Sequence, residues 1–210
     1  LDLCMSRGLG DVYKRHELYL ENHKSESIVL DDNKIKSSTY NSDQGYGFRA
    51  VTGEVVAYSH SNDISKESLR KSSENLKDTL KSKKGTYNHE IPKTNSKYYE
   101  NINPIESKTF DSKIDLLNNV NNYLRSKGSI VNQVTANFLG EHKSIEIIRS
   151  DNQVLKDDRP LVRFNVSVVL EKDGKKETGV YGVGGRQSYD DYLKDGSWKD
   201  VCDEAFRIAN

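Results

Sequence analysis

Residues 160–185 read PLVRFNVSVVLEKDGKKETGVYGVGG. Val162, Phe164, Val166, Val168 and Leu170 occupy alternate positions, with Arg163, Asn165 and Ser167 between them. An apolar period of two gathers its hydrophobic side chains on one face only in an extended strand; a helix would scatter them around its circumference. Asp173-Gly174 supplies a two-residue turn, a dipeptide that tolerates the positive φ such hairpins require. Strands joined by two residues run antiparallel. Part of the core is therefore expected to stand on an antiparallel sheet.

The same alternation recurs along the chain. ELYLENH (17–23), ESIVL (26–30), GYGFRAV (45–51) and EVVAYSH (54–60) read as strand segments, with turn chemistry at Asp31–Lys34 and a short connection at Thr52-Gly53. NDISKESLRKSSENLKDTL (62–80) then becomes helical. Ser65 is placed to cap it, and Leu69, Ser72, Ser73, Leu76 and Leu80 form a thin stripe. Residues 81–110 are rich in Lys, Asn, Ser and Thr and contain Pro92 and Pro104, the composition of a linker. Tyr98, Tyr99, Ile102 and Ile105 predict that its second half is packed. From Asp111 a second helix shows Ile114, Leu117, Val120 and Leu124 on one face. Ser112 and Asp115 stand at capping-box spacing, and Gly128 follows the last turn. SIVNQVTANFLG (129–140) and KSIEIIRS (143–150) alternate as strands, and a last helix over about 198–209 presents Val201, Cys202, Ala205 and Ile208. The expected fold is α+β, in two subdomains at 17–80 and 111–210, each a mainly antiparallel β-meander packed by helices.

Length and charge narrow the function classes. The 210 residues carry 32 Lys and Arg against 32 Asp and Glu, so the formal net charge is +0. Balanced charge offers no electrostatic footprint for nucleic acid or for an anionic membrane. No apolar run approaches the roughly 20 residues of a membrane-spanning helix, and no apolar core of a signal peptide opens the chain. Two cysteines, Cys4 and Cys202, form no metal-type pair and no disulfide framework, which fits a reducing, cytoplasmic setting. Residues 6–15, SRGLGDVYKR, match a translated transposase sequencing adapter. Residues 1–16 are therefore set apart as non-native, with Cys4, Met5 and His16, and the natural start is expected to be missing.

Few residue patterns carry chemistry. Asp43-Gln44-Gly45-Tyr46-Gly47-Phe48-Arg49 has the glycines, acid and cation of a phosphate loop. However, Gly45 and Gly47 lie two apart within an alternating run, on one face of a strand, where glycine admits close approach of another backbone or helix. A zinc peptidase needs two histidines one helical turn apart with a glutamate beside them. His16-Glu17 and His89-Glu90 are the His-Glu pairs present; strand alternation after the first and Pro92 after the second prevent that geometry. His60 and His142 stand alone. Asp31-Asp32, Asp157-Asp158 and Asp190-Asp191 read as solvated turns. Gly182-Val183-Gly184-Gly185-Arg186 has the makings of an anion cradle, but no apolar helix follows directly, so a tight strand end is expected. Cys202 reads as a small buried apolar residue.

Two stretches carry a family resemblance. ESIVLDDNKIKSSTYNSDQGYGFRAVTGEVVAYSHSNDIS (26–65) and DDRPLVRFNVSVVLEKDGKKETGVYGVGGR (157–186) resemble the N-terminal and central regions of TldD-like members of the TldD/PmbA family. These are zinc metallopeptidases once described as modulators of DNA gyrase. The resemblance runs from about Glu17 to the end of the chain. It singles out Asp43, Gln44, Gly45, Gly47, Arg49, Arg159, Pro160, Arg163, Gly184, Gly185 and Arg186 as family-motif positions with structural or interface roles. The family's HExxxH helix and further Cys ligand lie beyond the matched regions, so the resemblance assigns no catalytic, metal or cofactor-binding residue to this chain. It implies the N-terminal part of a cytoplasmic peptidase subunit, truncated before the zinc site. Such a part would supply scaffold and contacts to a PmbA-type paralogous subunit around an enclosed chamber for small or unfolded peptides. The competing expectation is a non-catalytic protein- or peptide-binding module.

Overall fold

The computed structural model describes residues 14–80, 98–150, 153–193 and 196–210. Most of the adapter-like segment, with Cys4 and Met5, and the first part of the expected linker, with His89, Glu90 and Pro92, lie outside the described residues. In chain order the elements are β1 (Lys14–Asp31), β2 (Lys34–Thr52), β3 (Val55–Ser61), α1 (Lys66–Leu80), α2 (Phe110–Arg125), β4 (Val131–Arg149), β5 (Val154–Lys172), β6 (Lys175–Gly185), the single turn α3 (Asp190–Leu193) and α4 (Ser197–Ala209). The strands form a six-stranded sheet in the order β3-β2-β1-β4-β5-β6. The hairpins β2–β3 and β5–β6 are antiparallel, as the alternation predicts, and the fold is α+β.

Local chemistry sets the turns. Asp32 and Asn33 both take positive φ, 49° and 72°, as do Asp173 and Gly174 at 52° and 76°. Two consecutive positive φ values give the backbone the twist that joins neighbouring antiparallel strands in two residues. The β2–β3 loop is Gly53-Glu54, with Thr52 paired to Val55 and Gly53 at φ 59°. β2 begins earlier than its sequence suggests, because all eleven positions from Lys34 to Gln44 are exposed. A strand that buries neither face carries no alternation, so its pairing with β1 and the Asp32-Asn33 turn reveal it where composition does not.

The chain packs as two compact units that interleave along the sequence. The first takes residues up to His23, Asp43–Lys97 and Ser144–Asp157; the second takes Lys24–Ser42, Tyr98–Lys143 and Asp158–Asn210. In the first unit, Tyr46, Phe48, Ala50 and Ala57 bury against Leu76 and Leu80 of α1, with Leu18 and Leu20 packed beside them. Ser65 caps α1 as expected, its Oγ accepting from the Ser68 amide at 3.2 Å. The serines of the α1 stripe have a specific partner: the buried Tyr46 hydroxyl lies 2.7 Å from Ser72 Oγ and 2.9 Å from Ser68 Oγ.

The second unit holds the larger core. Val162, Phe164, Val166, Val168 and Leu170 are all at most 5% exposed and lie under α2 and α4 with Val134, Ala136 and Phe138 of β4. The Phe138 and Phe164 rings stack at 4.7 Å, and Tyr189 meets Phe138 edge-on at 5.4 Å. The cap of α2 is Thr109, whose Oγ1 accepts from the Ser112 amide, three residues before the expected Ser112–Asp115 box. Lys113 departs from the apolar face of α2. It is 2% exposed, and its Nζ donates to Glu26 Oε1 at 2.7 Å and to the Ile105 carbonyl at 2.8 Å. A buried ammonium is tolerated because it is paired and hydrogen-bonded. Ile105 is buried as expected, whereas Tyr98 is exposed.

Close approach occurs at a glycine that the sequence pattern does not single out. A Cβ on Gly179 of β6 would overlap the Ala205 carbonyl and lie 2.7 Å from the Ala209 amide, both in α4. On Gly47 a Cβ would meet the Tyr58 hydroxyl at 2.5 Å, the far end of an exposed side chain. At Gly45 the neighbour is backbone, the Ser61 carbonyl 3.1 Å from where a Cβ would stand, whereas at Gly47 it is a tyrosine ring rather than a helix or backbone; α1 covers the opposite face.

Two predictions follow from this packing. Gly179→Ala forces α4 off the sheet and should lower stability by about 1–3 kcal/mol, whereas Gly47→Ala, which a rotation of Tyr58 relieves, should cost less than about 1 kcal/mol; denaturant midpoints of the two variants check the difference. The second concerns Asp31, whose carboxylate accepts from Lys36 Nζ at 2.9 Å, Gln133 Nε2 at 2.8 Å and Thr135 Oγ1 at 2.9 Å. These bonds, the Lys36 contact foremost, lower its pKa to about 2. An unfolded Asp titrates near about 3.9, so the contribution is complete above that value and is lost as pH falls through about 2. Asp31→Asn should remove on the order of 1 kcal/mol at neutral pH, allowing for the exposure of Lys36. It should also flatten the acid limb of the stability curve measured by urea unfolding between pH 2 and 5.

Candidate functional site

The first family motif floors an open groove in the first unit. Tyr46, Phe48 and Ala50 face α1, so strand geometry turns Gly45, Gly47 and Arg49 to the other side of the sheet. β3 continues this face in register, Gly47 opposite His60 and Arg49 opposite Tyr58. The groove encloses about 290 Å³. β1 lines it with Tyr19, Glu21 and His23, β2 with Asp43 through Gly47, and β3 with Tyr58, His60 and the following Asn62. Its aromatic wall is ordered: the Tyr58 and His60 rings lie 5.9 Å apart at a 32° tilt. The Tyr19 hydroxyl donates to Glu21. Glycines in the floor leave depth that side chains would fill.

Arg49 lies beyond the groove, in a cluster of charges. Its Nη1 is 3.5 Å from Glu17 Oε2, and Arg149 Nε is 3.6 Å from Glu17 Oε1. Arg15 Nε donates to the same carboxylate at 3.0 Å. Arg149 Nε is buried, with no hydrogen-bond acceptor among the described residues.

The second motif lies in the second unit, where the start of β5 meets the end of β6. Arg163 is opposite Gly184 and Val162 opposite Gly185. Pro160 precedes the first β5–β6 pair, so its missing amide removes no bond from that ladder. A Cβ on Gly184 would lie 2.6 Å from the Val162 carbonyl. Arg163 Nε donates to Asn165 Oδ1 at 2.8 Å. Arg186 reaches back, donating to the Pro160 carbonyl at 3.4 Å and stacking over the Tyr99 ring at 5.3 Å. The guanidinium with which an anion cradle would be built is thus engaged by a carbonyl and a ring. The segment after it enters only the four-residue α3. Arg159 also lies in the early part of β5.

The remaining candidates fall into structural settings. Cys202 is fully buried under the sheet, and burial pushes its thiol up to about 12. A protonated thiol in an apolar core is neither nucleophile nor metal ligand. Asp31 and Asp32 do not form a dyad: Asp31 has the three donors described above, and Asp32 accepts from Arg125. Asp190 pairs with Lys108 at 2.6 Å, and Asp158 lies 3.7 Å from His142 Nε2. Among the described residues, no three His, Cys, Asp or Glu side chains converge to hold a metal. The described residues therefore offer no ligand set for the zinc that the resemblance places beyond these regions.

Sequence reading missed the residues that only pairing brings together. His60 looked isolated, yet register places it beside Gly47 and against Tyr58. Arg149 is 100 positions from Arg49 in the chain and shares Glu17 with it. A signal for His60 was available in the hairpin register; none was available for Arg149.

Comparison with known proteins gives these motifs a family. Residues 16–81 match the family model for PmbA/TldA metallopeptidase domain 1, and residues 103–210 match that for the PmbA/TldA metallopeptidase central domain. The metalloprotease TldD homolog of Buchnera aphidicola (subsp. Acyrthosiphon pisum) is 35% identical over 200 residues, which are 92% of this chain and 41% of the relative. The TldD homolog of Haemophilus influenzae is 34% identical over 180 residues, 83% of this chain and 37% of its own length. The chain thus spans about two-fifths of the length of these relatives. The crystal structure of TldE from Thermococcus kodakarensis shares the fold, with TM-score 0.67 at 12% identity over 93% of this chain and 44% of that one. With both family models matched across most of its length, the chain belongs to the PmbA/TldD metallopeptidase family.

Proposed function

We propose that the chain is the scaffold-forming N-terminal part of a TldD-type peptidase subunit, with the catalytic zinc held by residues outside the regions matched here. The observation that carries this reading is the pairing of two facts. Domain 1 and the central domain are both matched, and the described residues bring no metal-ligand set together. A hydrolytic zinc needs three protein ligands and an open position for water. Among the described residues, His16 and His23 lie seven apart on β1, His60 on β3 and His142 on β4. In this reading the two units position a paralogous PmbA-type subunit and wall a chamber that admits small or unfolded peptides in the cytoplasm. A solved TldE with the same fold supports the paralogous partner. Among the described residues no helix is long and apolar enough to cross a membrane.

A complementation assay tests the reading. The chain alone, incubated with zinc and unstructured peptides, should give no hydrolysis above the blank. The same residues joined to the remaining part of a TldD relative and mixed with a PmbA-type subunit should give hydrolysis that a chelator abolishes. Chelator-sensitive cleavage by the chain alone would place the metal site inside it. No cleavage by the completed, folded pair would contradict the peptidase reading.

A further inference from the structure

The sheet ends at β6, and among the described residues no strand pairs with its outer side. This free edge is eleven residues long, against seven for β3 at the opposite edge. From Thr178 to Gly185 it carries neither charge nor proline, the residues that guard a free edge against pairing. The backbone groups on offer follow from the hairpin. Asp173-Gly174 closes it in two residues with both φ values positive, which makes Lys172 and Lys175 a hydrogen-bonded pair. The ladder alternates from there, so Lys176, Thr178, Val180, Gly182 and Gly184 turn their amides and carbonyls away from β5.

Large apolar side chains are exposed along the same edge: Val180 at 57%, Tyr181 at 39% and Ile208 of α4 at 46%. α4 lies on β6, its Ala205 carbonyl against Gly179. It turns Asp203 and Phe206 toward α2, where Tyr123 donates to Asp203 and Lys127 lies over the Tyr123 and Phe206 rings. At about 3.6 residues per turn, Ile208 then falls on the other flank of α4, the flank beside the free edge.

We propose that β6 pairs with β6 of a second copy of this chain, antiparallel about a two-fold axis at Val180, so that two sheets become one. Val180 is the midpoint of Lys175–Gly185, so this register uses the whole strand. It sets outward-facing residues against one another: Val180 against Val180, Thr178 against Gly182, Lys176 against Gly184. The charged residues at the start of the strand, Lys175, Lys176 and Glu177, each meet Gly or Val of the other copy, and no like charges are opposed. A register centred one residue further on, at Tyr181, would oppose Lys176 and Arg186. A two-fold contact must be complementary to itself. An arbitrary strand would satisfy the backbone of β6; a second copy also brings Tyr181 to the outer flank of the other α4, where Ile208 is exposed. This pairing is independent of the zinc site, and its test reads association rather than hydrolysis.

Sedimentation velocity of the full chain, from micromolar to submillimolar concentration, should show a monomer–dimer equilibrium. Val180→Lys places two ammonium groups opposite each other at the axis and should weaken the dimer at least about tenfold; Val180→Glu should do the same with carboxylates. Mixing the two variants should restore the dimer, because only a contact that sets position 180 against itself joins them as an ion pair. The exposure of Val180 makes both variants tolerable to the fold, and unchanged melting temperatures confirm it. Val56→Lys, on the opposite edge, should leave association as it was. The same residues joined to the remainder of a TldD relative should dimerise with the same dependence on position 180. A monomer at every concentration would overturn the proposal, as would a dimer indifferent to Val180→Lys in either the chain or the longer protein. Failure of the mixed Lys and Glu variants to associate would overturn the register, and a dimer lost to Val56→Lys would move the contact to β3.

Discussion

The five alternating side chains of β5, from Val162 to Leu170, decide where everything else in the second unit goes. Each is at most 5% exposed, and burying each contributes about 1.5–3 kcal/mol. A sheet with that face uncovered would not be stable in water, so α2 and α4 must lie across it. Their closeness is then limited by what β6 presents beneath α4, and Gly179 presents nothing. Polar groups drawn under the same cover are accommodated one by one, Lys113 by Glu26 and the Ile105 carbonyl.

The first unit follows the same rule on a smaller scale, and its other face differs in kind. One face of β1–β3 is closed by α1 through Tyr46, Phe48 and Leu76. The opposite face carries Gly45 and Gly47, exposes Tyr58 and His60, and brings Arg49 and Arg149 to Glu17. An antiparallel sheet is free to leave one face solvated.

Much of the fold was legible in the sequence because it rests on local rules. The β5 face, the Asp173-Gly174 turn, the Ser65 cap and the α1 stripe each follow from a pattern a few residues long. What was hidden depends on partners distant in sequence. Residues 34–44 form strand without any alternation, since neither face is buried. Thr109 rather than Ser112 caps α2, a shift of one helical turn that spacing alone does not resolve. The family-motif glycines were legible as sheet glycines, but the neighbours they accommodate, Tyr58 at Gly47 and the Ser61 carbonyl at Gly45, depend on register. The convergence of Arg49 and Arg149 on Glu17 depends on β2 and β4 flanking β1 on either side, which no local pattern announces.

The separation of scaffold from chemistry is the claim on which the functional account stands, and metal content tests it most directly. The chain would be purified, equilibrated with zinc, dialysed against a weak chelator and analysed by elemental mass spectrometry. The same treatment would be applied to these residues joined to the remainder of a TldD relative. The account predicts that the chain retains no stoichiometric zinc while the longer protein keeps one ion per subunit. One equivalent of zinc held by the chain itself would contradict it.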